Sequence, residues 1–228
     1  MAKKRKAFVH VGLAGIGDII EPALVQHRDA LVELGVTVLP KTTDESFRAA
    51  VEILRDHKGW GFKRKEVEGQ WADLCRRAHK GRTAVVFSQP LLARAEPEQI
   101  DLLLDGLAGF EIHVVVTTCP QEPDADLAAV TKRWGAAVRK PERLHVVELD
   151  EADGCAAWKA FGRTVGFGTA SLQLDDVPRP VGARPLSSLD EARREIERLT
   201  RRNESLEHRL EETDRKRRKL KKKLSKVA

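Results

Sequence analysis

Short apolar runs rich in β-branched residues alternate along the chain with segments in which apolar residues recur every three or four positions. The runs predict five strands, at Phe8–Val11, Val36–Leu39, Thr83–Phe87, Glu111–Thr117 and Leu144–Leu149. The longer segments predict helices, at Glu21–Leu34, Phe47–Arg55, Val67–Lys80, Ile100–Leu107, Asp126–Val138 and Ala156–Val165. Strands joined by helices form parallel sheets covered on both faces. Residues 7–177 are therefore expected to form an α/β domain with a parallel sheet of about five strands.

The pattern changes after residue 177. Residues 178–187 are rich in proline and arginine and predict an extended linker, and residues 188–228 consist almost entirely of helix formers. From Leu189 to Val227, positions spaced by three and four form an a/d pattern over more than five heptads. This predicts a coiled coil that associates with a second copy, and Asn203 at an a position favours two strands. The alternative is one amphipathic helix packed back on the domain.

The net charge of +6 is concentrated at the two ends of the chain. The segment Arg215–Lys226 holds nine basic and no acidic residues, and the basic tail of residues 1–6 holds four. The remaining residues hold 28 basic and 35 acidic side chains, so the domain itself is acidic. The basic segment has three interpretations: a solvated helix end, contact with nucleic acid phosphates, or contact with an anionic membrane surface.

Cysteine usage and hydropathy indicate a cytoplasmic protein. Cys75, Cys119 and Cys155 are far apart and form no CxxC pair, which argues against disulfides or zinc and fits a reducing compartment. No apolar run approaches the ~20 residues that span a bilayer. The seven histidines suggest no metal site, and His10 and His113 are expected as hydrogen-bonded core residues. The four tryptophans are expected on helices, packed in the core.

Between the first strand and the first helix, the segment Ala7–Ile20 carries a cluster of glycines. Backbone N–H groups at such a turn commonly hold a phosphate. The candidate binding loop consists of Gly12, Leu13, Gly15, Gly17 and Asp18. Its first and third glycines have Walker A spacing, but the Lys and Ser/Thr that should follow are Asp and Ile, which argues against nucleotide hydrolysis. A dinucleotide site is also disfavoured, because no acidic residue ends the second strand.

The stretch from His10 to Ile19 resembles the loop H-V-G-L-P-K-T-G-T-T of bacterial, actinobacterial-type sulfotransferases. The resemblance runs in order over roughly residues 7–200. It continues at Gln26–Leu31, Gly35-Val36, Glu111–Thr118, Trp134–Val147 and Pro185–Leu199. It implies a parallel sheet with a phosphosulfate-binding loop. It also implies sulfonate transfer from 3′-phosphoadenosine 5′-phosphosulfate to a hydroxyl or amine.

The groups that the resemblance assigns to this chemistry are replaced here. The loop lysine corresponds to Gly15, the two phosphate-binding hydroxyls to Asp18 and Ile19, and the 3′-phosphate arginine to Cys119. The region of the catalytic base reads Ser88-Gln89-Pro90. Losing one preorganised charge-stabilising donor typically costs about 10²–10³ in rate. No catalytic residue is therefore assigned, and the loop is regarded as degenerate.

Two hypotheses follow. The first is a non-catalytic, sulfotransferase-like homodimer that binds or scaffolds and needs no cofactor. The second is an active sulfotransferase that uses 3′-phosphoadenosine 5′-phosphosulfate with a relocated cation, for which Lys41 and Arg82 are candidates.

Overall fold

The computed structural model describes residues 4–13, 17–118, 127–138, 140–148 and 154–174, without the side chains of Gly17 and Asp18. The expected linker over residues 178–187, the coiled coil over 188–228 and the basic segment Arg215–Lys226 lie outside the described residues. Those expectations therefore stay predictions.

The described strands form one parallel sheet, as the sequence predicts. Its strands are β1 (Lys6–Gly12), β2 (Val36–Val38), β3 (Ala84–Ser88), β4 (Glu111–Thr118) and β5 (Leu144–Glu148). They lie in the order β2-β3-β1-β4-β5, and each neighbouring pair is parallel. The carboxyl ends of all five strands therefore share one edge of the sheet, here called the carboxyl edge. Ligands of open α/β sheets usually bind at such an edge.

Helices connect the strands. They are α1 (Gly17–Gln26), α2 (Arg28–Glu33), α3 (Thr43–Ile53), α4 (Arg64–Val67), α5 (Gln70–Lys80), α6 (Pro97–Gly106), α7 (Leu127–Val138) and α8 (Gly154–Val165). Short 3₁₀ helices occupy Pro90–Arg94 and Pro141–Arg143. No described helix has the length and apolar character needed to traverse a membrane.

Three helix predictions differ from the structure. The single helix expected over Glu21–Leu34 is interrupted at His27 and forms two helices, α1 and α2. The His27 imidazole donates a hydrogen bond to the Gln173 carbonyl oxygen at 2.8 Å. Helix α3 begins earlier than expected because the Thr42 hydroxyl accepts a hydrogen bond from the Glu45 N–H, capping the helix. The helix expected over Val67–Lys80 is divided: the one-turn helix α4 ends at Val67 and α5 begins at Gln70, because Gly69 between them adopts the left-handed conformation.

Helices cover both faces of the sheet, as predicted. On one face α3, α5, α6 and α7 bury a large core against alternate strand residues. On the other face α1, α2 and α8 bury a second core. Trp71, Trp134 and Trp158 are buried in these cores, but Trp60 is 43 % exposed in a turn. The expectation that all four tryptophans pack on helices is therefore wrong for Trp60. The segment around Trp60 is rich in charged residues and stays at the surface.

Candidate functional site

The candidate loop begins at the carboxyl edge, next to the central strand. Gly12 ends β1, and the Leu13 N–H continues the pairing with β4 by donating to the Thr117 carbonyl oxygen at 3.0 Å. Leu13 is itself buried in the core, and Gly17 is the first residue of α1. Gly15 and the side chain of Asp18 lie outside the described residues. The structure thus places the two ends of the loop where the sequence predicts a strand–loop–helix junction.

A buried imidazole braces the three central strands just before this loop. His10 Nδ1 lies 2.7 Å from the Ser88 hydroxyl on β3, and Nε2 lies 2.9 Å from the Thr117 hydroxyl on β4. Because neutral imidazole has one donor and one acceptor, one hydroxyl accepts and the other donates. Burial lowers the pKa of His10 to about 3, so the ring is neutral near pH 7. This confirms the prediction that His10 is a hydrogen-bonded core residue.

The Ser88–His10 pair is structural and not a nucleophile with its base. Both residues are almost completely buried, and neither lines the cleft described below. A catalytic serine must reach the substrate carbonyl, which this hydroxyl cannot do. Ser46 on α3 fixes the end of β3 further by donating its hydroxyl to the Ser88 carbonyl oxygen at 2.8 Å.

A buried carboxylate sits where α1 meets the end of β3. Glu21 lies in the second turn of α1, is only 9 % exposed, and accepts from Gln89 Nε2 at 3.2 Å through each of its oxygens. The orientation of the Gln89 amide is fixed, because its Oε1 accepts from the Leu91 N–H. Sequence reasoning missed this carboxylate, since the two partners are 68 residues apart.

These two residues line an open cleft of about 520 Å³ at the carboxyl edge. The described lining residues are Glu21, Pro22, Thr43, Asp44, Phe47, Gln89, Pro90 and Leu91. Two of them are carboxylates and none is cationic. The Ser88-Gln89-Pro90 segment therefore supplies an amide and an apolar ring to this site, and no catalytic base.

The two candidate relocated cations occupy opposite edges of the sheet. Lys41 follows β2 and so belongs to the carboxyl edge, where it lines a neighbouring hollow of about 420 Å³ together with Asp44 and Glu45. Arg82 precedes β3, at the amino end of that strand. A five-residue strand is about 16 Å long, so Arg82 is too remote to serve the loop. Only Lys41 remains a candidate for that role.

The connections that leave the carboxyl edge are acidic in sequence. The eight residues between β4 and α7 read CPQEPDAD, and the five between β5 and α8 read LDEAD. These connections lie outside the described residues, but together they carry six carboxylates and no basic side chain. The glycine loop adds Asp18 and no cation. In sequence, these segments are therefore predominantly negative.

Nothing in the described part of the chain forms a metal site of three or more His, Cys, Asp or Glu ligands. His113 and His145 lie side by side on β4 and β5, but the His113 ring is held between His145 Nε2 at 2.9 Å and Glu111 Oε1 at 3.0 Å. This confirms the prediction for His113. Burial, together with the nearby His113 and Lys6, lowers the pKa of His145.

The chain has an α/β fold with a five-stranded parallel sheet. No family model and no curated protein matches the sequence. Among solved structures, one described as a characterisation of the PezAT chromosomal toxin–antitoxin system of Streptococcus pneumoniae is similar, at 12 % identity and a TM-score of 0.32. The match covers 63 % of this chain and 58 % of that one. A likeness at this level carries no information about activity.

Proposed function

We propose that this protein is a sulfotransferase-like α/β domain that binds a partner without transferring sulfonate, and that it dimerises through residues 188–228. The observation that carries the proposal is the cleft at the carboxyl edge, whose described lining includes the carboxylates Glu21 and Asp44 and no cationic side chain. A sulfonate donor is a polyanion, so its site needs cations and free N–H donors. Here the cleft beside the loop presents carboxylates.

Carboxylates in this cleft disfavour a polyanionic donor, because like charges at close range repel. Asp44 adds little to this repulsion, because Arg48 Nε pairs with it at 2.8 Å and the pair is partly exposed. Glu21 is only 9 % exposed, and no cationic side chain is among the described residues that line the cleft with it.

The loop residues support the same proposal. The sulfotransferase resemblance requires a lysine at Gly15 and hydroxyls at Asp18 and Ile19, and the sequence supplies none of these groups. An Asp at the start of a helix is favourable as a cap or a dipole partner, but it repels a phosphate. An Asp at this position therefore favours the helix and disfavours binding of an anionic donor.

The alternative is an active sulfotransferase in which Lys41 supplies the missing cation. Lys41 belongs to the correct edge of the sheet, and this alone keeps the alternative open. Two acidic neighbours of Lys41 argue against this alternative. Glu45 on α3 accepts a hydrogen bond from the backbone N–H of Lys41 at 2.6 Å, and Asp44 lines the same hollow.

The test is isothermal titration of the full chain with 3′-phosphoadenosine 5′-phosphate, the desulfonated product of the donor. We expect no heat of binding at high micromolar protein, with circular dichroism showing that the sample is folded. A micromolar dissociation constant would overturn the proposal and favour the active enzyme. In that case Lys41→Met should abolish binding, while Arg82→Met, at the opposite edge, should leave it unchanged.

A further inference from the structure

An exposed aromatic side chain stands at the surface next to the cleft. Trp60 is 43 % exposed, whereas the other three tryptophans of the chain are buried. Its ring meets the ring of Phe47 at 87°, with centroids 5.0 Å apart, and the Phe62 ring lies 6.1 Å from the Phe47 ring. Both phenylalanines are half-buried, so they form a base on which the indole rests. These three rings are here called the aromatic cluster.

The turn that carries Trp60 is fixed by backbone hydrogen bonds. The Trp60 N–H donates to the Asp56 carbonyl oxygen at 3.3 Å, and the Phe62 N–H donates to the His57 carbonyl oxygen at 2.8 Å. Between the two rings, Gly61 has a φ of +73°, a left-handed conformation that glycine adopts without strain. The backbone on both sides of the indole is therefore ordered before any ligand arrives, which reduces the conformational entropy lost on binding.

The segment around the aromatic cluster is basic, although the domain as a whole is acidic. Residues 55–65 hold five basic side chains and one acidic side chain. The acidic one, Asp56, pairs with Arg94 at 3.0 Å, and Arg94 Cζ lies 5.6 Å from the indole centroid. Lys58 and Lys63 are exposed and form no ion pair with any described residue. Their ammonium groups are therefore available to an anion from solution.

Charge and ring chemistry together select the partner. The basic segment Arg215–Lys226 of this chain has the same sign of charge and is therefore repelled by this surface. Single-stranded nucleic acid offers both complementary groups: phosphates for the lysines, and unpaired bases whose faces stack on aromatic side chains. A duplex keeps its bases stacked inside the helix. An anionic membrane matches the charge, but only one of the three rings is largely exposed, which leaves little apolar surface to insert.

We propose that this surface binds single-stranded nucleic acid, with one base stacked on Trp60 and the neighbouring phosphates at Lys58 and Lys63. Arg94 beside the indole adds a cation–π contribution of the kind that accompanies base stacking at such sites. The side chains concerned are different from those of the candidate loop, so this binding is independent of the proposed loss of the sulfonate donor.

The experiment is titration of the full chain with a strand of twelve deoxythymidylates. The affinity of the end-labelled strand is measured by fluorescence anisotropy, and quenching of tryptophan emission reports on a base at the exposed Trp60. The control strand carries twelve abasic deoxyribose phosphates, which match the charge of the first strand and cannot stack. We expect quenching by the deoxythymidylate strand and an affinity at least tenfold higher than that of the abasic strand, since stacking of one base is worth about that factor.

The abasic strand also separates this surface from the basic segment Arg215–Lys226. That segment contains no aromatic residue, so its contacts with a strand are contacts with phosphates alone. Binding there does not distinguish the two strands and does not quench Trp60.

Two variants assign the binding to this surface. Trp60→Leu should remove the preference for the deoxythymidylate strand over the abasic strand. Lys58→Gln/Lys63→Gln should lower the slope of log affinity against log salt concentration by about 1.4, because each phosphate contact on a single strand contributes ~0.7. The matched control Lys4→Gln/Lys159→Gln removes the same charge from exposed lysines at the amino end of β1 and on α8, which covers the opposite face of the sheet. It should leave the preference and the quenching unchanged.

Three results would overturn the inference: equal affinity for the two strands, a preference that survives Trp60→Leu, or a salt slope that Lys58→Gln/Lys63→Gln leaves unchanged. A blue shift of the tryptophan emission with vesicles of equal parts phosphatidylcholine and phosphatidylserine, without quenching by the strand, would also overturn it and assign the surface to a membrane. The proposed function fails separately. Binding of 3′-phosphoadenosine 5′-phosphate that persists in Trp60→Leu does not involve this surface and would refute the proposed function alone.

Discussion

The Nδ1 atom of His10 lies 2.7 Å from the hydroxyl oxygen of Ser88, and this contact is buried between the central strand and its neighbour. Together with the contact to Thr117, it joins β3, β1 and β4 through side chains immediately before the candidate loop. The position of that loop therefore depends on a polar group in the middle of an apolar sheet.

Removing the imidazole alone should be strongly destabilising. In His10→Leu, the Ser88 and Thr117 hydroxyls lose their partner in a site without solvent access. Each unsatisfied buried group costs about 1–3 kcal/mol. We expect the free energy of unfolding, measured by urea denaturation, to fall by about 3 kcal/mol.

The matched control removes all three polar groups. The variant His10→Leu/Ser88→Ala/Thr117→Val leaves no unpaired hydroxyl from this network, and replacing both partners by apolar groups is often nearly neutral. It should recover most of the stability that His10→Leu loses. If the triple variant is as unstable as the single one, packing and not hydrogen bonding explains the role of His10.

The burial of His10 also predicts that the stability of the protein depends on pH. Burial lowers the pKa of His10 from 6.5 in the unfolded chain to about 3 in the folded protein, so the unfolded chain binds more protons between these values. The contribution of the neutral His10 to stability is therefore fully present above pH 6.5 and is lost as the pH falls toward 3. Between pH 7 and pH 5, protonation of His10 in the unfolded chain should lower the free energy of unfolding by about 2 kcal/mol. The triple variant has no histidine at this position. Over the same pH interval its free energy of unfolding should therefore fall by about 2 kcal/mol less than that of the unaltered protein.

The sequence predicts the five strands because each is a compact β-branched run between helical segments, and the structure confirms all five with shifts of one or two residues. The Glu21–Gln89 pair could not be predicted. Its members belong to different elements, and the order of the strands is needed to bring them together. The sequence shows an acidic domain, but only the topology shows that the strands preceding the two acidic connections end at one edge of the sheet.

Lys41 and Arg82 also show why the sequence alone does not assign residues to the site. Lys41 and Arg82 are equivalent candidates in the sequence, since each flanks a predicted strand. Strand direction separates them, because one follows its strand and the other precedes it. Side chains that flank strands can be assigned to a site only when the direction and order of the strands are known.

The close packing of α8 against the segment after it gives a further prediction. A Cβ atom at Gly162 would lie 3.0 Å from the Phe167 carbonyl oxygen and 2.6 Å from a methyl group of Thr169, whereas at Gly168 it would meet nothing within 4 Å. Gly162→Ala should lower the unfolding free energy by about 1–3 kcal/mol through overpacking. Gly168→Ala should change it by less than about 0.5 kcal/mol. Equal effects in urea denaturation would show that the segment adapts freely.

The proposed dimer depends on residues 188–228. Deleting them should leave a particle with the mass of one truncated chain in light scattering, because the domain would lose its a/d seam. The control is Asn203→Leu in the full chain. It keeps the seam apolar and should preserve association while relaxing the preference for two strands. A particle with the mass of two truncated chains after the deletion would refute the coiled coil.

The final prediction separates two proposed causes of the expected lack of donor binding: the missing loop groups and the carboxylates at the carboxyl edge. The variant Gly15→Lys/Asp18→Thr/Ile19→Thr restores the loop groups, and we expect it to bind 3′-phosphoadenosine 5′-phosphate only weakly, since Glu21 remains. Adding Glu21→Gln should strengthen binding further, because it removes a carboxylate from the lining of the cleft. Adding Glu33→Gln to the restored loop should change binding less than twofold, since that carboxylate lies at the other edge of the sheet. If the restored loop binds at micromolar concentration without any change at Glu21, the loop alone accounts for the lost donor site and the buried carboxylate plays no part in it.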